Sequence, residues 1–413
     1  MQSSISPDAR KAFRLRLALT AFAACVVLAP AGFLQAQQPA QERAAQAKAA
    51  PSPAALAEYQ RKLKAYNEAQ ARHEALAAPY WAQVEAKRKE RRAKFRAREP
   101  LTLSDYVLTQ PPRYAGPSRP ADPERKPEDV PPEREPIPVV ADFLRHAKAH
   151  FGFVPDRPKD EIAFKRAYAA VASAAGLTPE QAVRVYAFEA GGINGYDVQS
   201  GLVGGKPGAR AISTALGYNQ LLVANTIGLL AEKGDRFVKA LQERAKSRDG
   251  EGRKSLENKI AILRRMVAHS RTVPARWSDH VTLTRTPKGM ALHALNLDID
   301  VGPMLQTQKL LDSVVYARTR GIARPLTASE LEMMNLTGDG NGFDMVSMPR
   351  EMRSQVPTAN FFQRRGYERN PIASRTQVVE KLIAETDAIM DRRSQAQGAR
   401  DLAKEFQRRL AAE

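Results

Sequence analysis

Apolar residues recur at helical spacing through most of the chain after residue 138. The three- and four-residue spacing predicts helices over about 141–151, 160–175, 179–190, 214–232, 255–269 and 301–319. Alternation typical of strands is scarce. We expect only two short hairpins, an irregular one between 192 and 212 and another at about 338–346, where Asp-Gly and Asn-Gly are turn dipeptides. The fold class predicted by the pattern is mainly α (α+β), a helical domain with small β-hairpin insertions.

The part of the chain before this domain has a different pattern. A long polar helix is expected over about 53–98, interrupted at Pro79, and its end at 84–98 carries eight Lys and Arg against two Glu. Such charge runs are usually solvated faces, although attraction to acidic polymers of a cell envelope is a natural use. Ten prolines between 110 and 138 then predict an extended, semi-rigid linker. A basic helical arm, 37–109, and a Pro-rich linker, 110–138, therefore precede the helical domain.

The first 36 residues follow the plan of a secretory signal. A basic start precedes an apolar stretch over 17–34, and Ala36 offers a small residue for cleavage. We predict a signal peptide over 1–36 that is cleaved after Ala36, which makes the protein periplasmic. An uncleaved anchor and a lipoprotein acylated at Cys25 are the alternatives. No other apolar run approaches the roughly 20 residues that span a bilayer, so no stable membrane insertion of the mature chain is expected.

Composition narrows the classes of function. The chain has 413 residues, a formal net charge of +19 and 43% hydrophobic residues, which indicates folded domains with basic, solvated parts. A single cysteine excludes a disulfide framework and a multi-cysteine zinc site. His146 and His150 are expected to be surface histidines, and we predict neither a metal nor a cofactor. Nucleic acid is not an expected partner because an exported protein rarely meets it.

Glu189 is the strongest candidate for chemistry. Thr178, Pro179 and Gln181 form a helix-start signature, and two glycines end the helix directly after Ala190. Counting from that start places Glu189 at the end of an apolar stripe. Apolar surroundings raise the pKa of a carboxyl group, as a general acid working near neutrality requires. The alternative is an exposed Glu at a helix end that points into solvent or pairs with an Arg.

The predicted helix that follows contains two buried amides. Ser213 or Thr214 is expected to cap it, and Gln220 and Asn225 lie among apolar residues. A buried amide needs hydrogen-bond partners, which are either the backbone or a ligand's hydroxyls and amides. Gly217 indicates that some group approaches the backbone closely.

The order of the motifs EAGG, GYDVQSGL and AISTALGYNQLL resembles the lysozyme-like superfamily of lytic transglycosylases, and is most similar to the phage lambda-type endolysins. The direct resemblance covers roughly 50 residues, and by architecture it implies a lysozyme-like catalytic domain over 139–320. Glu189 matches the family's single catalytic acid. The resemblance further implies a substrate-binding role for Tyr196, Asp197, Ser213, Tyr218 and Gln220.

The resemblance implies a peptidoglycan lytic transglycosylase whose partners are glycan strands. In that family the N-acetyl group of the sugar assists, its 6-hydroxyl attacks, and one Glu serves as acid and then as base, which leaves a 1,6-anhydromuramoyl end. A muramidase would need a second carboxylate, and Asp197 is the nearby candidate. The alternative is that Asp197 only stabilises its own turn. A catalytically silent relative that binds the cell wall as a scaffold is the other alternative. Protein partners are not indicated.

The C-terminal extension, 321–413, contains the second hairpin, an aromatic and basic segment and a terminal helix. The segment 355–371 combines Asn360, Phe361 and Phe362 with Arg and with Tyr367. Because aromatic faces stack on sugar rings and Arg reaches carboxylates, it is expected to line a groove with Tyr367 as a substrate-binding residue, or else to be a structural plug. The last helix is expected over about 374–411.

Overall fold

The computed structural model describes residues 51–124, 136–202 and 208–411. The predicted signal peptide, its cleavage at Ala36 and Cys25 lie outside these residues. The chain divides into two compact units, a smaller one within 24–136 and 355–360 and a larger one formed by 137–354 and 361–413. The expected division at residue 320 falls inside the larger unit.

The described part of the chain is mostly helical. Its α-helices are α1 (Pro53–Ala97), α2 (Val140–Phe151), α3 (Glu161–Ala174), α4 (Pro179–Glu189), α5 (Val223–Lys246), α6 (Gly250–Ser270), α7 (Trp277–Leu283), α8 (Pro287–Ala291), α9 (Gly302–Thr319), α10 (Ala328–Thr337), α11 (Asp339–Ser347), α12 (Arg350–Arg353), α13 (Arg364–Glu368), α14 (Pro371–Thr376), α15 (Val379–Ser394) and α16 (Gln397–Leu410). Short 3-10 helices cover Leu103–Asp105, Leu292–Leu297 and Thr358–Phe361. Among the helices described, none is long and apolar enough to cross a membrane.

In the smaller unit, the long helix and the linker differ from expectation. Helix α1 continues through Pro79, so the predicted interruption is wrong. The last residue of the arm and the first part of the linker pack on this helix: Tyr80 Oη donates to the carbonyl of Thr109 at 3.0 Å, and the Tyr114 ring meets Tyr66 edge-on at 6.3 Å. Aromatic contacts thus hold this stretch against α1, while 125–135 lies outside the described residues.

The basic run of α1 is not simply a solvated face, which corrects the sequence interpretation. Arg88 and Arg91 are 4% and 1% exposed. Both donate to the carbonyl oxygen of Asn360, at 3.2 and 3.0 Å. Asn360 also forms a reciprocal pair with Val107, accepting from its N–H at 2.9 Å and donating to its carbonyl at 2.8 Å. Buried donors need such partners, and these two arginines find them in a distant segment of the chain.

The larger unit is built around α5 and α6, which pack closely along their lengths. A Cβ atom on Gly234 would lie 2.4 Å from a side-chain methyl of Val267, so this glycine permits the approach of the two helices. Helices α2, α8 and α9 complete the apolar core, whose buried members include Phe143, Ile227, Leu263, Ala291 and Leu305.

The predicted helix over 214–232 begins nine residues late, at Val223. Gly217 and Gln220 have φ angles of +79° and +44°, in the left-handed region that a helix does not accommodate. Leu216 instead forms isolated bridges with Gln199 and Leu221. In and beside 192–212, the described residues form these bridges and not the predicted hairpin. Residues 203–207 lie outside the described part of the chain.

The predicted hairpin at 338–346 is wrong, because α11 occupies these positions. Gly342 serves packing instead of a turn: a Cβ there would lie 2.3 Å from the Cα of Met334 in α10. The predicted single terminal helix is three helices, α14, α15 and α16, with Gln377 at φ +66° between the first two. Helix α15 packs on α4, and α16 packs on α3 and α4.

Candidate active site

Helix α4 carries Glu189 as its last residue. The helix start is as expected: Thr178 Oγ1 accepts from the Gln181 N–H at 3.1 Å, and the Gln181 side chain accepts from the Thr178 N–H at 3.0 Å. This capping box fixes the phase of the helix. Val185 and Tyr186 are fully buried on the stripe that leads to Glu189. The predicted helix start and apolar stripe are confirmed.

The turn after α4 is held against the junction of α15 and α16. Gly192 has a φ angle of +68°, and a Cβ there would lie 2.5 Å from the carbonyl oxygen of Arg393. The Gly192 carbonyl accepts from the N–H of Ala399 at 2.9 Å. The Arg393 side chain donates to the carbonyl of Phe188 at 2.5 Å. A glycine is therefore required where the end of α4 meets the C-terminal helices.

The Glu189 carboxylate is held by α10. Asn335 Nδ2 donates to Glu189 Oε1 at 2.6 Å, and the carboxyl of Glu332 is hydrogen-bonded to that of Glu189. Glu332 and Asn335 are three residues apart, so they share one face of the helix. The start of α10 is fixed by a capping box in which the Thr327 hydroxyl accepts from the Glu330 N–H at 3.2 Å.

The protonation of the two carboxyl groups is coupled, and the pKa of each is raised. Burial raises the pKa of Glu189 to about 7, and hydrogen bonds from Glu332 and Asn335 with the charges of Arg393 and Lys309 limit the rise. Glu332 is 1% exposed, and burial together with the charge of Glu189 raises the pKa of Glu332 well above its ordinary value. Since Glu332 keeps its proton more tightly, Glu189 is the half-buried member that titrates near neutrality.

Two other expected site residues, Tyr196 and Tyr218, meet at Glu161 instead of Glu189. Tyr218 is buried and donates its hydroxyl to Glu161 Oε1, and the N–H of Tyr196 donates to Glu161 Oε2 at 3.3 Å. Lys165 forms an ion pair with Glu161 at 2.8 Å. Asp197 forms an ion pair with Arg157 at 2.6 Å, and both side chains are 39% exposed.

This cluster is linked to α4 by aromatic rings. Tyr218 lies 4.4 Å from Tyr186, centroid to centroid, and Tyr186 precedes Glu189 by less than one turn of α4. The ring of Tyr196 stacks on Phe164 at 4.5 Å. Tyr196 and Tyr218 thus support the packing beneath the end of α4.

Ser213 and Gln220 lie in the irregular segment before α5. Ser213 Oγ accepts from the N–H of Ala215 at 3.1 Å, while Gln220 Nε2 donates to the carbonyl of Gly217 at 2.8 Å. The Gln220 amide therefore bonds to the backbone, which is the first of the two partners that the sequence left open. The close approach expected at Gly217 is confirmed, since a Cβ there would lie 2.7 Å from Gln306 Nε2.

The aromatic side chains of the segment 355–371 are buried. Phe361 and Phe362 are buried, and so is Tyr367 in α13, whose ring lies 6.3 Å from that of Phe362. Rings in these positions do not present open faces to a sugar, which fits the alternative of a structural plug better than a groove-lining loop.

Glu332 and Asn335 are the residues that sequence reasoning missed. Two signals in the sequence point to them. Thr327 is followed three residues later by Glu330, a pattern typical of a helix start. In the apolar helix that this pattern begins, the carboxyl of Glu332 and the amide of Asn335 are three residues apart. The turn dipeptides just after this helix predicted a hairpin at 338–346 instead.

Within residues 51–124, 136–202 and 208–411, no three His, Cys, Asp or Glu side chains lie together as metal ligands would. The chain matches no protein-family model, no curated protein and no solved structure at a significant level.

Proposed function

We propose that the protein is an exported peptidoglycan lytic transglycosylase that cleaves the β-1,4 bond between N-acetylmuramic acid and N-acetylglucosamine. Glu189 is its single general acid and base, and the products end in 1,6-anhydromuramic acid. The observation that carries the proposal is the pair formed by Glu189 and Glu332, in which burial raises the pKa of Glu189 to about 7.

A carboxyl with this pKa suits glycosidic cleavage. A general acid is most effective when its pKa lies near the working pH, because it is then both protonated and able to release the proton. Asn335 donates to Glu189 Oε1 at 2.6 Å, which fixes the orientation of the carboxyl.

The spacing of the two carboxyls favours a one-acid mechanism over a hydrolase. Hydrolases that use two carboxyls separate them by about 5 Å or more, to leave room for the sugar or for water. Glu189 and Glu332 are hydrogen-bonded to each other, so they work as one proton-bearing unit. Asp197 is tied to Arg157 at 2.6 Å.

The proposed reaction needs nothing beyond this unit and the substrate. Glu189 gives its proton to the glycosidic oxygen as the bond to C1 breaks, and the N-acetyl group of the muramic acid supports the charge at C1. The carboxylate of Glu189 then takes the proton of the 6-hydroxyl while that oxygen bonds to C1. The acid is restored, and no water is consumed.

The test is to incubate purified protein with murein sacculi and to identify the soluble fragments by mass spectrometry. The proposal expects muropeptides that end in anhydromuramic acid, which are 18 Da lighter than the hydrolysis products because one water is not added. Reducing ends would indicate a muramidase instead. Binding to sacculi without any fragments would indicate a cell-wall scaffold.

A further inference from the structure

A second polar site lies beside α10, at the end remote from Asn335. It is an open pocket of about 470 Å³, within the range typical of small-ligand sites. It is lined by Arg320, Gly321, Ile322, Ala323, Arg324, Phe343, Val346, Ser347 and Arg353. Three of these residues are cations and none is an acid.

The three guanidinium groups are held in different ways. Arg324 is neutralised, because it donates to both oxygens of Glu330 at 2.6 Å. Arg353 donates to the carbonyls of Val346 and Met348 at 2.6 and 2.9 Å. The Arg320 guanidinium stacks over the ring of Tyr316, 3.5 Å from its centroid. In the described part of the chain, neither Arg320 nor Arg353 has a carboxylate partner.

The pocket therefore holds unbalanced positive charge in a partly desolvated setting. Burial lowers the pKa of Arg353; the charge of Glu330 opposes this shift, the charges of Arg324 and Arg350 add to it, and Glu380 also opposes it. An anion in the pocket would relieve this repulsion and supply a charged acceptor for guanidinium N–H groups. A carboxylate suits a guanidinium best, because the two groups form paired hydrogen bonds.

The pocket and the acid pair are connected through α10. Glu330, which holds Arg324, precedes Glu332 by two residues and Asn335 by five. At the helical rise of about 1.5 Å per residue, these positions span roughly 8 Å along the axis. Glu330 and Glu332 are two residues apart and so lie on nearly opposite faces of α10, which places the pocket and Glu189 on different sides of this helix.

We propose that this pocket binds the carboxylates of an acidic peptide, with Arg320 and Arg353 as the charged partners and Phe343 as an apolar wall. The proposal rests on the proposed function in one respect: the peptides attached to the glycan strands are taken as the source of the carboxylates. Glycan chains without peptides would then bind less tightly than chains that carry them.

The test measures peptide binding directly, by calorimetric titration of the full-length protein. The probe is N-acetyl-Ala-Glu-Ala with two free carboxylates, compared with its fully amidated Gln counterpart. Arg320→Gln is expected to weaken binding of the acidic peptide at least about tenfold, the effect of losing one charge-assisted pair. Arg318→Gln, an exposed cation on the same helix and outside the pocket, is the matched control and should bind as the wild type does.

Arg353→Gln should weaken binding similarly, but Arg353 also holds two backbone carbonyls. Arg320 is exposed, so Arg320→Gln decides the question if the other variant does not fold. The proposal is overturned if the amidated peptide binds equally well, if Arg320→Gln binds like the wild type, or if inorganic phosphate binds and the acidic peptide does not. Because the titration needs no turnover, its failure is distinct from failure of the sacculus assay.

Discussion

Asn335 Nδ2 donates a hydrogen bond to Glu189 Oε1 at 2.6 Å, and so joins two helices that are far apart in sequence. The amide favours the ionised form of the carboxyl, whereas burial favours the neutral form. These opposing effects bring the pKa of Glu189 to about 7. The position of α10 therefore controls the protonation of the residue that ends α4.

Replacing Glu189 with Gln should abolish most of the activity. Glu189→Gln keeps the size of the side chain but removes its proton, so release of fragments from sacculi should fall at least about a hundredfold. The melting temperature at pH 8 should be unchanged or slightly higher, because a buried carboxylate is costly. Glu257→Gln, at an exposed position of α6, is the matched control. Wild-type activity in Glu189→Gln would remove this residue from the mechanism.

The activity should decline as the pH rises through the pKa of Glu189. The descending limb of kcat/KM reports the acid of the free enzyme, so its midpoint is expected near pH 7. Asn335→Leu removes a donor that favours the carboxylate, and the midpoint should therefore move to higher pH. Asn258→Leu, on the exposed side of α6, should leave the midpoint in place. An unchanged midpoint in Asn335→Leu would contradict the assigned hydrogen bond.

The stability of the protein should fall between about pH 5 and pH 8. The pKa of Glu189 rises from 4.5 to about 7 on folding, so the folded state binds more protons in this range and the free energy of unfolding decreases with pH. Removing one carboxyl of the pair in Glu332→Gln should reduce this pH dependence by roughly half. Thermal unfolding of both proteins at pH 5 and pH 8 measures it. Equal pH dependence in the two would argue against coupled protonation of the pair.

Asp197→Asn should retain a measurable share of activity. Its ion pair with Arg157 involves two side chains that are each 39% exposed, and pairs of this kind contribute about 0–1 kcal/mol to stability. The products should still end in the anhydro sugar when the digestion is run in oxygen-18 water. An inactive Asp197→Asn variant, with the label at new reducing ends in the wild type, would favour a muramidase that uses Asp197.

Asn360→Ala should loosen the basic end of α1. The change leaves the buried N–H and carbonyl of Val107 without their partners, at a cost of about 1–3 kcal/mol for each unsatisfied group. Trypsin should then cut within 84–98 faster than in the wild type. Asn67→Ala, at an exposed position of α1, supplies the control. Equal cleavage rates would show that the bonds between the Asn360 side chain and Val107 do not stabilise this helix.

Local signals predicted the features that depend on neighbouring residues. The capping residues Thr178 and Gln181 fixed the phase of α4, and counting from them placed Glu189 at the end of the buried stripe. Gly217 correctly indicated a close approach. In each case, the information lies within a few turns of chain, where helical spacing and backbone freedom decide the structure.

Features that depend on distant contacts were not predictable in the same way. The apolar run after residue 213 has helical spacing, yet Gly217 and Gln220 adopt left-handed conformations because tertiary packing overrides the local preference. Gly342 looked like a turn residue, but it lets α11 approach α10. Glu332 gains its role only when α10 meets the end of α4, and spacing along one helix does not reveal that meeting.

The hydrogen bonds from Arg88 and Arg91 to Asn360 also set the order in which parts of the chain can fold during its synthesis. The helix that holds these arginines is synthesised early, but its acceptor emerges about 270 residues later. Until then the two guanidinium groups must remain hydrated, which opposes the burial of that end of α1. Contacts of such long sequence separation slow folding because a large loop must close first. Completion of the smaller unit therefore waits for a segment that interrupts the larger one.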